Sequence, residues 1–191
     1  MSYMDTLTEQ LRAEQLGDYA KDTVLNLSSV LAPQGAPGLE QAQIHGTALA
    51  VAYATRHPQV VRAVQEQGAE FLQDAHVRAA QLAATLMAMN NVYYRFVHLV
   101  QDDEYSQMPA RLRMNGMANP GVEKVDFELY ALAVSAINGC GMCMDAHVQT
   151  LHKAGVSKQA VQSVVRIAAV VQAFAQALYV AEHQEKWADA A

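Results

Sequence analysis

The chain has 191 residues, of which 52% are apolar and 17% charged, with a net charge of −6. That length supports one domain with a sizeable core, and the balance excludes a disordered chain. The acidic charge, without any long run of Lys or Arg, argues against a nucleic-acid or anionic membrane surface.

The opening stretch, "MSYMDTLTEQLRAEQLGDYA", is polar and amphipathic and lacks the basic and apolar regions of a signal peptide. No apolar run reaches the ~18 residues of a membrane span. The expectation is a soluble cytoplasmic protein. In such a reducing compartment two cysteines point to redox or metal chemistry rather than a structural staple.

In chain order, "TLTEQLRAEQL" and "DYAKDTVLNLSSVL" space their apolar residues by three and four, as helices do. "APQGAPG" (Ala32 to Gly38) is a linker. "LEQAQIHGTALAVAYATR" follows as a helix, and His57-Pro58 ends it or starts the next, "PQVVRAVQEQG", which Gly68 closes. "AEFLQDAHVRAAQLAATLMAMNNVYYRFVHLV" is long and helical, with Asn90-Asn91 as a candidate break. Residues 111–125 form a connector, and Asp126 is the expected N-cap of "FELYALAVSAI". Asn138-Gly139 ends that helix. Another runs from near Cys140 to His152 or Lys153, with Gly155 at its end. Ser157 caps the last long helix, and no strand pattern competes. The fold class is therefore all-α.

A faint internal repeat divides the chain. "ALAVAYATR" (48–56) parallels "ALAVSAING" (131–139), and "AATLMAMNNVYYRFVH" (83–98) parallels "AAVVQAFAQALYVAEH" (168–183), at offsets of 83 and 85 residues. The expected organisation is one domain, with N-terminal helices and linker over 1–38, a half without cysteines over 39–105 and a half with both over 106–191.

Both cysteines lie in "NGCGMCMDAH" (138–147). On a helix from Cys140 to Lys153, Cys140 sits about 60° and His147 about 40° from Cys143, so the three share a face, while His152 lies about 180° away. If Asn138-Gly139 reverses the chain, Glu128, roughly 15 Å before the turn, comes within side-chain reach of His147, roughly 10 Å after it. A chain Glu128, His147, Cys143 follows. Its chemistry is that of a thiolate made by a neighbouring imidazole that a carboxylate orients. Cys140, at the helix N-terminus, meets free amide N–H groups and is expected to be the easier sulfur for a protein partner to reach. A nucleophilic and a resolving cysteine make the layout of a thiol peroxidase or disulfide reductase. Two readings stay open beside it: buried core cysteines, and a zinc site on Cys140, Cys143 and His147 without an obvious fourth ligand. Tyr93-Tyr94 and "LMAMNN" read as core or subunit interface.

"FELYALAVSAINGCGMCMDAH" resembles the active-site segment of the alkyl hydroperoxide reductase D family, in the all-helical carboxymuconolactone decarboxylase-like superfamily. "YAKDTVLNLSS", "MNNVYYR" and "RLRMNGMANPG" resemble further family segments in the expected order. The resemblance implies a lipoyl-dependent peroxidase and disulfide reductase, with Cys140 and Cys143 as the redox pair and Glu128 and His147 as the proton relay. It implies no bound cofactor and dihydrolipoamide as reductant, supplied by a lipoyl-bearing acyltransferase with lipoamide dehydrogenase and NADH upstream. It implies a peroxiredoxin partner, the C subunit, and a homotrimer. One position departs: some family members carry a His between the cysteines, where this chain has Met142. Other outcomes are a superfamily relative with a different reaction, or a helical oligomer that binds metal or senses oxidation.

Overall fold

A computed structural model describes residues 16–100 and 102–188 and is all-helical across them. The helix expected in "TLTEQLRAEQL" and the packing expected of Trp187 lie outside the described residues and side chains. After a 3₁₀ turn at Asp18–Ala20 come α1 (Lys21–Val30), α2 (Gln41–Thr55), α3 (Pro58–Gln67), α4 (Asp74–Leu99) and α5 (Asp103–Gln107). A 3₁₀ turn at Asn115–Ala118 precedes α6 (Lys124–Ile137), α7 (Gly141–Lys153) and α8 (Lys158–Ala188).

The centre is built by α2 and α6. Ile44 through Ala52 on α2, and Phe127 through Ser135 on α6, are buried without interruption. A helix apolar on all sides must be surrounded. The two pack against each other, and each packs against both α4 and α8. Small residues let them approach. A Cβ at Gly46 would overlap the Tyr130 hydroxyl. That phenol is pushed well above its usual range, by burial first and by the Asp126 charge second.

Each central helix hands on to a short one, α2 to α3 and α6 to α7. Pro58 opens α3 at a position whose N–H has no helical partner. Gly139, at φ 67, turns the chain between α6 and α7. The linker at 32–38 is a run of turns, as expected. It is tied to α8 by Ser163 Oγ, which donates to Pro37 O at 3.1 Å, and by Arg166 Nη1, which donates to Gly35 O at 3.1 Å.

Some boundaries differ from the sequence reading. Asp126 is not the N-cap of α6. The helix starts earlier, after Glu123, and Asp126 lies in its first turn, accepting from Gln43 Nε2 at 2.8 Å. The tertiary bond to α2 holds the carboxylate that a cap would have used. The long fourth helix begins at Asp74 rather than Ala69, with Gln73 and His76 forming a reciprocal cap. Asn90-Asn91 does not break it, since both side chains bond to groups beyond their own turn. Ser157 does cap α8, its Oγ accepting from Ala160 N at 3.1 Å. The five-residue α5, capped by Asp102, has too few apolar residues for periodicity to show it.

Over Lys158–His183, α8 contains an 18-residue window long and apolar enough to cross a membrane. Its Val164, Ile167, Val171, Phe174 and Leu178 are fully buried against the rest of the fold, which is what makes a core helix equally apolar.

Candidate active site

The site forms where α7 starts beside α4 and α6. Cys140 is the N-cap of α7, extended at φ −93 and ψ 93, and its Sγ accepts from Cys143 N at 3.3 Å. Its own N–H donates to Ser135 O at 3.1 Å. The single turn from cap to Cys143 brings the Cα atoms to 5.3 Å, and the two sulfurs are joined as a disulfide. The unobstructed Gly141 lies between them.

The structure brings together all four residues singled out from sequence. Glu128 Oε2 and His147 Nδ1 are 2.7 Å apart, with both side chains buried. A carboxylate facing Nδ1 favours a proton on that nitrogen and leaves Nε2 for exchange elsewhere. Cys143 and His147 both line one cleft of about 280 Å³. His152 lies on the opposite face and is exposed, as its helical angle required.

The accessibility of the two sulfurs reverses the expectation. Cys140 is 0% exposed, whereas Cys143 is 7% exposed and opens on the cleft. A helix N-terminus is an accessible place only if nothing covers it. Here the cap is tied to α6 through Ser135 O and α4 is bonded to the turn at Asn138, and of the two cysteines it is Cys143 that lines the cleft.

Apart from Met142, the rest of the cleft was missed in the sequence. Met87, Asn90 and Tyr94 come from α4, Met114 and Met117 from the connector, and Met142 and Ala146 from α7. Met87, Asn90 and Tyr94, read above as core or interface, stand three and four apart on one helix face, and that spacing was the available signal. Nothing local linked them to the cysteines. Asn90 Nδ2 donates to Met117 Sδ at 3.7 Å, which holds the connector over the cleft. Four thioethers and a phenol ring make this pocket apolar and adaptable. Among the described residues no group of three or more His, Cys, Asp and Glu is arranged to hold a metal ion.

The carboxymuconolactone decarboxylase family model matches residues 103–184, the part that carries the cysteines, Glu128 and His147. Relatives match over far more. A Coxiella burnetii (strain RSA 493 / Nine Mile phase I) protein named alkyl hydroperoxide reductase AhpD is 56% identical over 167 residues, 87% of this chain and 94% of its own length. Proteins of the same name from Bradyrhizobium sp. (strain BTAi1 / ATCC BAA-1182) and Rhodopseudomonas palustris (strain BisA53) are 54% and 51% identical, over 89% and 88% of this chain and 92% of each of theirs. With an all-helical fold, a CxxC disulfide and identity of this extent, the chain belongs to the alkyl hydroperoxide reductase AhpD family.

Proposed function

We propose that this protein reduces alkyl hydroperoxides through the Cys140–Cys143 dithiol, and that dihydrolipoamide, carried on a lipoyl-bearing acyltransferase, returns the disulfide to the dithiol. The observation that carries the reading is the placement of Cys143 on an apolar cleft beside an imidazole that Glu128 orients. The names of the relatives point to the same substrate class.

In the reduced protein His147, held by Glu128, takes the proton of Cys143. The thiolate attacks the distal oxygen of ROOH, the O–O bond breaks, and the alkoxide leaves as ROH with a proton from the imidazolium. Cys143 is then a sulfenic acid. The Cys140 thiol displaces its oxygen as water and closes the disulfide. The reverse half-cycle begins at the accessible sulfur: a dihydrolipoamide thiolate attacks Cys143, Cys140 leaves as thiol, and the second lipoyl thiol resolves the mixed disulfide. Two electrons move in each half. No prosthetic group enters this cycle. Where a peroxiredoxin C subunit is present, the Cys143 thiolate attacks its disulfide instead of peroxide. The same reading places the protein in the cytoplasm as a homotrimer.

Met142 supplies no proton at the position between the cysteines, so direct peroxide turnover relies on Glu128 and His147 alone and is expected to be weak, while disulfide exchange stays intact. The test is NADH oxidation with lipoamide dehydrogenase, lipoamide and cumene hydroperoxide, with and without a peroxiredoxin. Turnover that needs both cysteines supports the reading, and turnover confined to the peroxiredoxin mixture assigns an adaptor role. If neither mixture turns over and the thiols never pair, the redox reading is wrong and the zinc reading is tested by metal content.

A further inference from the structure

Asn91 on α4 grips both sides of the turn that delivers Cys140. Its Nδ2 donates to Ser135 Oγ at 2.9 Å, and its Oδ1 accepts from Asn138 Nδ2 at 2.9 Å. One turn further along α4, Arg95 Nη1 donates to Asn138 O at 2.7 Å. Ser135 in turn accepts the Cys140 N–H on its carbonyl. Asn91 and Ser135 are buried, so the bond between them acts without competition from water, while the Arg95 bond lies at the surface.

The chain makes the same turn a second time without a cysteine. Eighty-three residues before Gly139, at φ 67, stands Arg56, at φ 60. Eighty-three before Cys140, the cap of α7, stands His57, the cap of α3, at φ −96 and ψ 111. The backbone path is shared, but the bonding is not. Ala52 and Thr55 stand where the other turn has Ser135 and Asn138, and Gln176 and Val180 stand at the offset of 85 from Asn91 and Arg95. Ala52 and Val180 have no polar side-chain group, and the Thr55 hydroxyl donates locally to Ala52 O at 2.7 Å. A turn of this shape therefore forms without the Ser–Asn–Asn–Arg network. The network is found where a sulfur has to be held.

We propose that Asn91 and Arg95 are positioning residues for Cys140. By fixing the turn they set the effective concentration of its thiol at Cys143, and with it the thiol–disulfide equilibrium of the pair. The inference rests on the dithiol reading above, but its test needs no peroxide. The reaction read is the exchange of the reduced protein with oxidised dithiothreitol, in which two protein thiols give up two electrons and two protons to form one disulfide and reduced dithiothreitol.

The equilibrium constant is measured by alkylation and mass analysis for wild type, Asn91→Ala, Arg95→Gln and Arg95→Lys, with Gln176→Ala as the control at the matching place in the other turn. Asn91→Ala is expected to lower disulfide formation about tenfold and Arg95→Gln about threefold, with Arg95→Lys restoring most of that loss and Gln176→Ala unchanged. Melting temperature is followed in parallel. A wild-type constant in both Asn91→Ala and Arg95→Gln, whatever happens to melting, overturns the proposal and leaves the network a fold-stabilising one. If Asn91→Ala does not fold, the exposed Arg95 pair decides alone. A wild-type protein that never exchanges would instead refute the dithiol reading itself.

Discussion

Glu128 Oε2 and His147 Nδ1 meet at 2.7 Å from two helices joined by a tight turn, with both side chains buried. A buried carboxylate–imidazole contact at this length is a charge-assisted hydrogen bond whenever the pair shares one proton. It fixes which ring nitrogen remains free, and in the proposed relay that nitrogen serves Cys143. Removing the carboxylate charge while keeping its shape should therefore slow thiolate formation without unfolding the site. Alkylation of reduced Cys143 by iodoacetamide at neutral pH is expected to fall about tenfold in Glu128→Gln and about a hundredfold in His147→Gln, the latter at the lower end of the usual range for general-base catalysis. Unchanged rates in both variants would remove the relay from the mechanism.

The two cysteines should fail differently. Cys143→Ser is expected to abolish peroxide consumption. Cys140→Ser should consume one equivalent and stop, with a sulfenic acid on Cys143 trapped by dimedone and seen by mass spectrometry. The opening of Cys143 onto the cleft and the full burial of Cys140 carry this prediction. One equivalent consumed by Cys143→Ser and none by Cys140→Ser would reverse the roles.

The cleft predicts selectivity. Met114 and Met117 reach it from the connector, so a paired Met114→Gln, Met117→Gln variant changes its polarity without touching α6 or α7. The KM for cumene hydroperoxide should rise about tenfold, equivalent to about 1.4 kcal/mol of lost apolar contact, while hydrogen peroxide turnover stays the same. An equal effect on both peroxides would mean that the methionines support the fold rather than the substrate.

Acid stability should depend on His45. It is buried, stacked on Phe71 at 4.7 Å, with no partner for Nδ1, and burial lowers its pKa to about 4. Between about 6.5 and 4 the unfolded chain therefore binds a proton that the folded protein does not. Stability from this group is complete above 6.5 and is lost as pH falls through the folded value of about 4, a total of about 3 kcal/mol. Urea unfolding of wild type and His45→Phe across this range checks it: the variant should lose that part of the slope. Equal slopes would show that His45 titrates normally.

Gly139 offers a clean backbone test. At φ 67 it sits in the left-handed region, and a Cβ there would meet nothing within 4 Å. The cost of Gly139→Ala is then conformational alone, about 1 kcal/mol by denaturant unfolding. A loss several times larger would point to a contact absent from this structure.

The Cys140–Cys143 disulfide and the Glu128–His147 contact were legible in the sequence because they are local. Cys140, Cys143 and His147 lie within eight residues, and a single Asn-Gly turn brings Glu128 back to them, so helical rise and angle suffice to place all four. The helices of the core were legible for the same reason, since an apolar period of 3.6 repeats within each segment. What the sequence left undecided comes from contacts across many residues. The burial of Cys140 depends on α4 lying over the turn. The cleft depends on Met114 and Met117 crossing to α4, and the position of Asp126 depends on Gln43, 83 residues away. No residue near 140 reports how deeply its neighbours will cover it. Periodicity shows which face of a helix is apolar, and only packing decides which apolar face becomes core and which becomes the wall of a site.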